Sequence, residues 1–303
     1  MKNQEVFFKS NQIIHGSCED LKEIPDNTIS LTITSPPYWN AIDYDIHCKD
    51  SSKYYRTRKY AKGYQDYEDY LIWLTKIFSN IFTKTKPGGF ACVIIGTVLY
   101  NKRHYPVPFD LVNRFTTELD FEFHQDIIWH KVTGGVKRAG VFIQKPYPGY
   151  FYPNIMTEYI LIFRKQGPAI FDKKNPEIKN QCKMEINQLF TTEMANTVWH
   201  IAPVPPNCLD HPCPFPEEIP YRLIQLYSYP GDLVLDPFLG SGQTIKVAHH
   251  LKREYIGYET IKKYVDYSKQ RLQEPLSLRE KQLLAVFNKI PTPNKKPKPS
   301  IPI

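Results

Sequence analysis

The chain has 303 residues, with 39 Lys+Arg against 31 Asp+Glu and a formal net charge of +8. Hydrophobic residues make up 42% and charged residues 23%, a globular composition that excludes a wholly disordered chain. No run approaches the roughly 18 apolar residues of a membrane helix. The N-terminus lacks the apolar core of a signal peptide, and the six cysteines are scattered, unlike a secreted disulfide framework. A soluble, cytoplasmic protein with reduced thiols is expected. The 26 prolines predict many loops and abrupt element ends, and the basic excess makes a polyanion such as nucleic acid a natural partner.

The first strong element is Ile29–Thr34, a β-branched run predicted as a strand. It stops at Ser35-Pro-Pro-Tyr-Trp39, because consecutive prolines cannot continue a central strand. Residues 40–65 show no helical or strand period and read as a long loop. From Tyr67 the apolar positions fall at 67, 70, 71, 74, 77, 78, 81 and 82, a helix with one buried face, stopped by Lys86-Pro-Gly-Gly89. Phe90–Ile95 is continuously apolar, as in a strand buried on both faces. A helix over Phe109–Leu119 follows, then strands at Phe123–Trp129 and Glu158–Phe163, with Gly/Pro/Lys-rich stretches at 131–150 and 164–183. Further on come a helix from Glu217 to Tyr229, a strand Leu233–Leu235, a helix Thr244–Leu251, a strand Tyr255–Tyr258 and a helix Ile261–Leu272. Strands alternating with helices imply an α/β fold with a mainly parallel sheet and helices on both faces. Beyond residue 276 a Pro/Lys-rich tail reads as disordered.

Two motifs carry chemistry. Asp236-Pro-Phe-Leu-Gly240-Ser-Gly242-Gln-Thr244 follows a strand and opens a helix, where glycines let the backbone approach a ligand and the helix start offers free N–H groups. It lacks the spacing and lysine of a phosphate-clasping P-loop. Seventeen residues after Gly242, Glu259 ends the next strand, the place for an acid that binds ribose hydroxyls. In Ser35-Pro36-Pro37-Tyr38 the prolines fix the backbone, so the Ser35 hydroxyl and the Pro36 carbonyl can face one amino group while Tyr38 offers a ring for stacking a planar base.

Together, Thr34-Ser-Pro-Pro-Tyr-Trp39 and Asp236–Thr244 resemble the S-adenosylmethionine-dependent DNA amino-methyltransferases. The catalytic motif precedes the cofactor motif, as in the group called beta. Trp199-His-Ile201, His211-Pro-Cys-Pro-Phe-Pro-Glu217, Lys86-Pro-Gly-Gly-Phe90, Ile127-Ile-Trp-His-Lys131 and Glu158–Phe163 match further family segments, so that the resemblance spans residues 12–272. It implies a Rossmann-like methyltransferase fold with a small target-recognition region, in which the strands ending at Thr34 and Asp236 are neighbours. It assigns Asp236, Phe238, Gly240, Ser241, Gly242 and Thr244 to the cofactor loop and Glu259 to the ribose, with His211 and Phe215 near the methionine end. Ser17 and Cys18 fall near the adenine, where Ser17 replaces an acid usual in relatives. Ser35, Pro36, Pro37 and Tyr38 become the catalytic motif for direct in-line methyl transfer from S-adenosyl-L-methionine to a flipped base, with no metal. Serine heading the motif, with Trp39 behind it, resembles the cytosine-N4 branch, with adenine N6 the alternative and a non-catalytic nucleic-acid binder a further one.

The implied partner is double-stranded DNA, in a restriction-modification setting with a cognate restriction endonuclease acting on the same site; monomer and dimer both stay open. Lys53, Arg56, Arg58 and Lys59, interleaved with tyrosines, suit phosphate clasping with stacking, and Lys131, Lys137 and Arg138 make a second basic stretch. Cys208-x-x-His211-x-Cys213 lacks the spacing of a paired zinc site. The expected organisation is a catalytic-motif half over 1–163, a target-recognition segment over 164–198, a cofactor-binding half over 199–275 and the tail over 276–303.

Overall fold

The computed structural model describes residues 8–39, 66–100, 103–132, 148, 155–184, 186–188, 190–205, 208–211 and 213–278. In chain order the elements are β1 (Gln12–His15), β2 (Ile29–Thr34), α1 (Tyr67–Lys84), β3 (Thr85–Ile95), β4 (Val98–Tyr100), β5 (Arg103–Tyr105), α2 (Val107–Glu118), β6 (Phe121–His130), β7 (Thr157–Lys165), α3 (Pro176–Gln181), β8 (Val198–His200), α4 (Glu218–Tyr227), β9 (Leu233–Asp236), α5 (Gln243–His250), β10 (Glu254–Glu259) and α6 (Lys262–Arg271). Among the described residues, one eight-stranded sheet has the order β1-β10-β9-β2-β3-β7-β6-β8, and β4 and β5 form a separate hairpin. Of those eight strands only β7 runs against the rest, pairing antiparallel with both β3 and β6. The sheet is thus mixed but mainly parallel, a Rossmann-like methyltransferase fold.

The elements follow from the apolar pattern. All six residues of β2 are buried, and alternate residues of its neighbour β3 feed two cores. Leu31 and Ile33 join Cys92 and Ile94 under Ile219, Leu223 and Ile245 of α4 and α5. Ala91, Val93 and Ile95 point to the opposite face, under Leu74, Phe78 and Phe115 of α1 and α2. Helix α1 begins where the Asp66 side chain accepts from the Glu68 N–H, and it ends at Thr85, where β3 starts at once. The predicted strands and long helices are all present, with ends shifted by a few residues. The short strands β1 and β8, the β4–β5 hairpin and α3 were not foreseen. The basic run 53–64, Lys137, Arg138 and nearly all of the tail lie outside the described residues. Among the described residues, no helix is long and apolar enough to cross a membrane.

A buried ion cluster braces the turn before α5. Glu217 Oε1 accepts from Arg271 Nη2 at 2.6 Å and from Lys246 Nζ at 2.8 Å, while Arg271 Nη1 donates to the Ser241 carbonyl at 2.7 Å. These three charged side chains are at most 4% exposed. Breaking such a pair strands the remaining charge in a dry site. Glu217→Ala, which leaves buried Lys246 and Arg271 with only the half-exposed Glu274, is expected to lower stability by about 3–5 kcal/mol in urea unfolding.

Candidate active site

The site begins with strand order. Pairing of β2 with β9 brings Thr34 beside Asp236, and the Thr34 hydroxyl donates to Asp236 Oδ1 at 2.7 Å. Both strands end at the same edge of the sheet, where open α/β sheets bind ligands. A cleft of about 350 Å³ opens there. The Ser35–Tyr38 run lines one wall, Phe238, Gly240 and Glu259 another, and Ser17, Cys18 and His211 complete the lining.

The glycine-rich turn is shaped by what it touches. Gly240 has φ +51°, and a Cβ there would lie 2.7 Å from His211 Nε2, so the imidazole sits directly against the backbone. Gly242 caps α5 with φ +80°, and a Cβ there would meet Ser268 of α6 at 2.7 Å. Glu259 holds the turn from the other side: its Oε2 accepts from Gly240 N–H at 2.9 Å and its Oε1 from Ile261 N–H at 2.8 Å. Burial raises the Glu259 carboxyl above its ordinary range, partly countered by these backbone donors. Thr260 contacts the same carboxylate through its backbone and side chain, and Glu259 lines the cleft with these donors around it. Burial lowers the His211 pKa to about 4, which keeps it neutral, and raises Cys18 to about 12, which keeps it a thiol.

On the facing wall, the Tyr70 hydroxyl of α1 donates to the Pro37 carbonyl at 2.9 Å and ties that helix to the motif. The Tyr38 hydroxyl donates to Glu158 Oε2 at 2.8 Å, and Lys131 pairs with the other Glu158 oxygen. Burial first, and then the Glu158 charge, hold the Tyr38 phenol well above its usual pKa, so it remains a protonated donor.

The predicted residues therefore separate by depth. Asp236, Ser241, Thr244 and Phe215 are at most 9% exposed and lie behind the lining with Gly242. Thr244 bonds the Ile33 carbonyl at 3.2 Å, and the Gln243 side chain bonds that of Phe215 at 2.6 Å. Lys131 pairs with Glu158, the acceptor of the Tyr38 hydroxyl, and does not itself line the cleft. Residues the sequence reading missed include Trp73, Tyr264, Glu158 and Tyr70. Trp73 packs 5.7 Å from Phe238, ring to ring, and Tyr264 packs edge-on to His211 at 4.9 Å. One signal was present: Trp73 falls off the apolar stripe of its helix, at its edge, and it packs against the core only in part.

The DNA methylase family that groups N6 and N4 enzymes matches residues 29–270. The chain belongs to this family. It is a DNA methyltransferase, and its relatives share most of its length. Type II methyltransferase M.MjaI of Methanocaldococcus jannaschii is 29% identical over 301 residues, covering 92% of this chain and 95% of that protein. Type II methyltransferase M.BglII of Bacillus subtilis is 28% identical, covering 86% and 69%. Among solved structures, TTHA0409 of Thermus thermophilus complexed with S-adenosyl-L-methionine has a TM-score of 0.66 at 26% identity, covering 86% of this methyltransferase and 92% of that chain. The cytosine-N4-specific PvuII DNA methyltransferase shares the fold, with a TM-score of 0.63 at 20% identity and 92% coverage of both chains.

Proposed function

We propose that this methyltransferase transfers the methyl group of S-adenosyl-L-methionine to the exocyclic N4 amine of cytosine in duplex DNA, as the modifying arm of a restriction-modification system. The observation that carries the reading is the cleft whose walls are Ser35–Tyr38 on one side and Phe238, Gly240 and Glu259 on the other. When bound, the cofactor supplies an electrophilic sulfonium methyl. Glu259 receives the ribose hydroxyls, Phe238 and Trp73 give aromatic surface, and the Ser17-Cys18 turn takes the adenine side. The serine at the head of the motif favours cytosine over adenine.

An exocyclic amine is a weak nucleophile because its lone pair is delocalised into the ring. The Ser35 hydroxyl and the Pro36 carbonyl accept its two N–H bonds and favour a tetrahedral nitrogen, while Tyr38 stacks on the flipped base. Catalysis is then positioning and electrostatics, with no covalent enzyme intermediate. Residues 164–198 serve as the target-recognition segment between the two halves of the domain. Incubating the protein with labelled cofactor and unmethylated DNA, then digesting to nucleosides, tests the reading. N4-methyldeoxycytidine is expected, N6-methyldeoxyadenosine would replace the base assignment, and no incorporation would overturn the activity.

Asp236 supplies a separate test. Its carboxyl is fully buried, Oδ2 has no hydrogen-bond partner, and burial raises its pKa to about 6. Folding thus binds this proton more tightly than the unfolded chain, whose aspartates titrate near about 3.9. The group therefore costs nothing below about pH 4, and stability falls as pH rises from there to about 6, by on the order of 2–3 kcal/mol. A cofactor cation held in the cleft that Pro237 and Phe238 line would offset part of that cost. Asp236→Asn is expected to raise the Tm of the ligand-free protein at a pH of about 7.5, by less as pH approaches about 4, and to weaken cofactor binding.

A further inference from the structure

The antiparallel strand of the sheet has a consequence for the catalytic wall. Because β7 runs against its neighbours, its first residues arrive at the edge where β2, β3 and β6 end. Glu158, second in β7, lies across from Trp129 of β6, next to Lys131, and its neighbour Tyr159 lies across from Ile95 of β3. Gly96 leaves room for it: a Cβ at that position would come within 3.2 Å of Glu158 Cγ. The carboxylate is thus delivered beside Tyr38, where one oxygen takes the phenol at 2.8 Å and the other takes Lys131. Both charged side chains are largely buried, at 14% exposure for Glu158 and 15% for Lys131, so neither is a solvated surface ion.

We propose that Glu158 is a positioning residue that fixes the Tyr38 ring through its phenol, with Lys131 holding the other carboxylate oxygen in place. This rests on the reading that Tyr38 stacks on the target base. An aromatic side chain tethered only at Cβ can rotate about its side-chain bonds. A second tether at the far end of the ring removes that freedom before the base arrives, so the base meets a preset plane and the ordering cost is not taken from the reaction. A charge-assisted bond suits this task, being about twice as strong as one between neutral groups. The pairing also gives Lys131 a different role from a clamp on the DNA backbone: its charge is spent on Glu158.

The test is a double-mutant cycle in single-turnover methylation of unmethylated plasmid DNA with labelled S-adenosyl-L-methionine. Tyr38→Phe keeps the ring and removes the tether, and Glu158→Ala removes its anchor. Each is expected to slow the chemical step by roughly tenfold or more, the worth of one hydrogen bond to a charged acceptor, with cofactor Kd changed less than twofold. Combined, they should be no slower than either alone. Glu158→Gln turns an N–H toward the phenol or toward Lys131, so it should recover most of the rate only when combined with Lys131→Met, where its carboxamide oxygen is left to accept from the phenol. Should Glu158→Ala lose its fold, Lys131→Met carries the same test, because its effect on the rate must also vanish beside Tyr38→Phe. Rate losses that multiply, a Glu158→Gln, Lys131→Met double variant as slow as Glu158→Ala, or a Lys131→Met effect confined to KM for DNA would overturn the proposal. A wild-type protein that methylates no DNA would instead overturn the activity on which it rests.

Discussion

Ser35→Ala is expected to reduce methyl transfer on the order of 10²-fold or more while leaving S-adenosyl-L-methionine binding close to wild type. Ser35 directly follows β2 and lines the cleft with Pro36–Tyr38, on a chain segment separate from the glycine-rich turn. It makes no contribution to the sheet, whose last β2 residue is Thr34. What is lost is one of the two acceptors that hold the amine with its lone pair toward the methyl donor, an interaction needed most in the transition state. The loss should therefore fall on kcat, with KM for both substrates little changed. Single-turnover rates with saturating cofactor, together with calorimetric cofactor Kd, measure the two separately. Equal losses in rate and cofactor affinity would show that Ser35 supports the cleft rather than the reaction.

Glu259→Ala is expected to give the reverse pattern, with cofactor affinity weakened by about 10- to 100-fold and thermal stabilisation by added S-adenosyl-L-methionine largely lost. This carboxylate holds two loops at once, through Gly240 N–H and Ile261 N–H, and lines the cleft. Its loss removes the ribose acceptor and frees the turn that carries Phe238. Glu259→Gln should be nearly as damaging. A carboxamide turns an N–H donor toward one of those two backbone donors, so one contact becomes repulsive whichever way the group is flipped. Thermal shift with and without cofactor, at fixed ligand concentration, gives the result. A full ligand-induced shift in either variant would remove Glu259 from the cofactor site.

These contrasts show what the sequence could and could not convey. Ile29–Thr34 and Phe90–Ile95 were readable because central strands buried on both faces are rich in β-branched or apolar residues and carry no charge. Both site motifs were readable because their chemistry is local: a strand that stops at two prolines, and a strand that turns through glycines into a helix. Residues that reach the site across the fold left weaker traces. Glu158 looks like an ordinary polar strand start until β7 is known to run backwards. Tyr70 reads as core, and it is core, yet its hydroxyl holds the Pro37 carbonyl. Strand β1 is four residues long and sits at the sheet edge beside β10, too short for any period to register. The depth of Asp236 and Thr244 could not be inferred either, since a motif names contacts without saying which side chains form the lining and which stand behind it.

The Thr34–Asp236 hydrogen bond joins residues 202 positions apart in the chain. Parallel strands with that separation close late in folding, because the entropy of so long a loop must be met before the pairing gives anything back. During synthesis the β2–β3 half emerges first, carrying its catalytic motif with one edge of β2 still unpaired. The opposite wall of the cleft cannot exist until β9 and β10 have followed. A nascent chain that has not reached β10 therefore carries the Ser35–Tyr38 motif without the residues that complete its cleft, which forms only once β9 and β10 have been made.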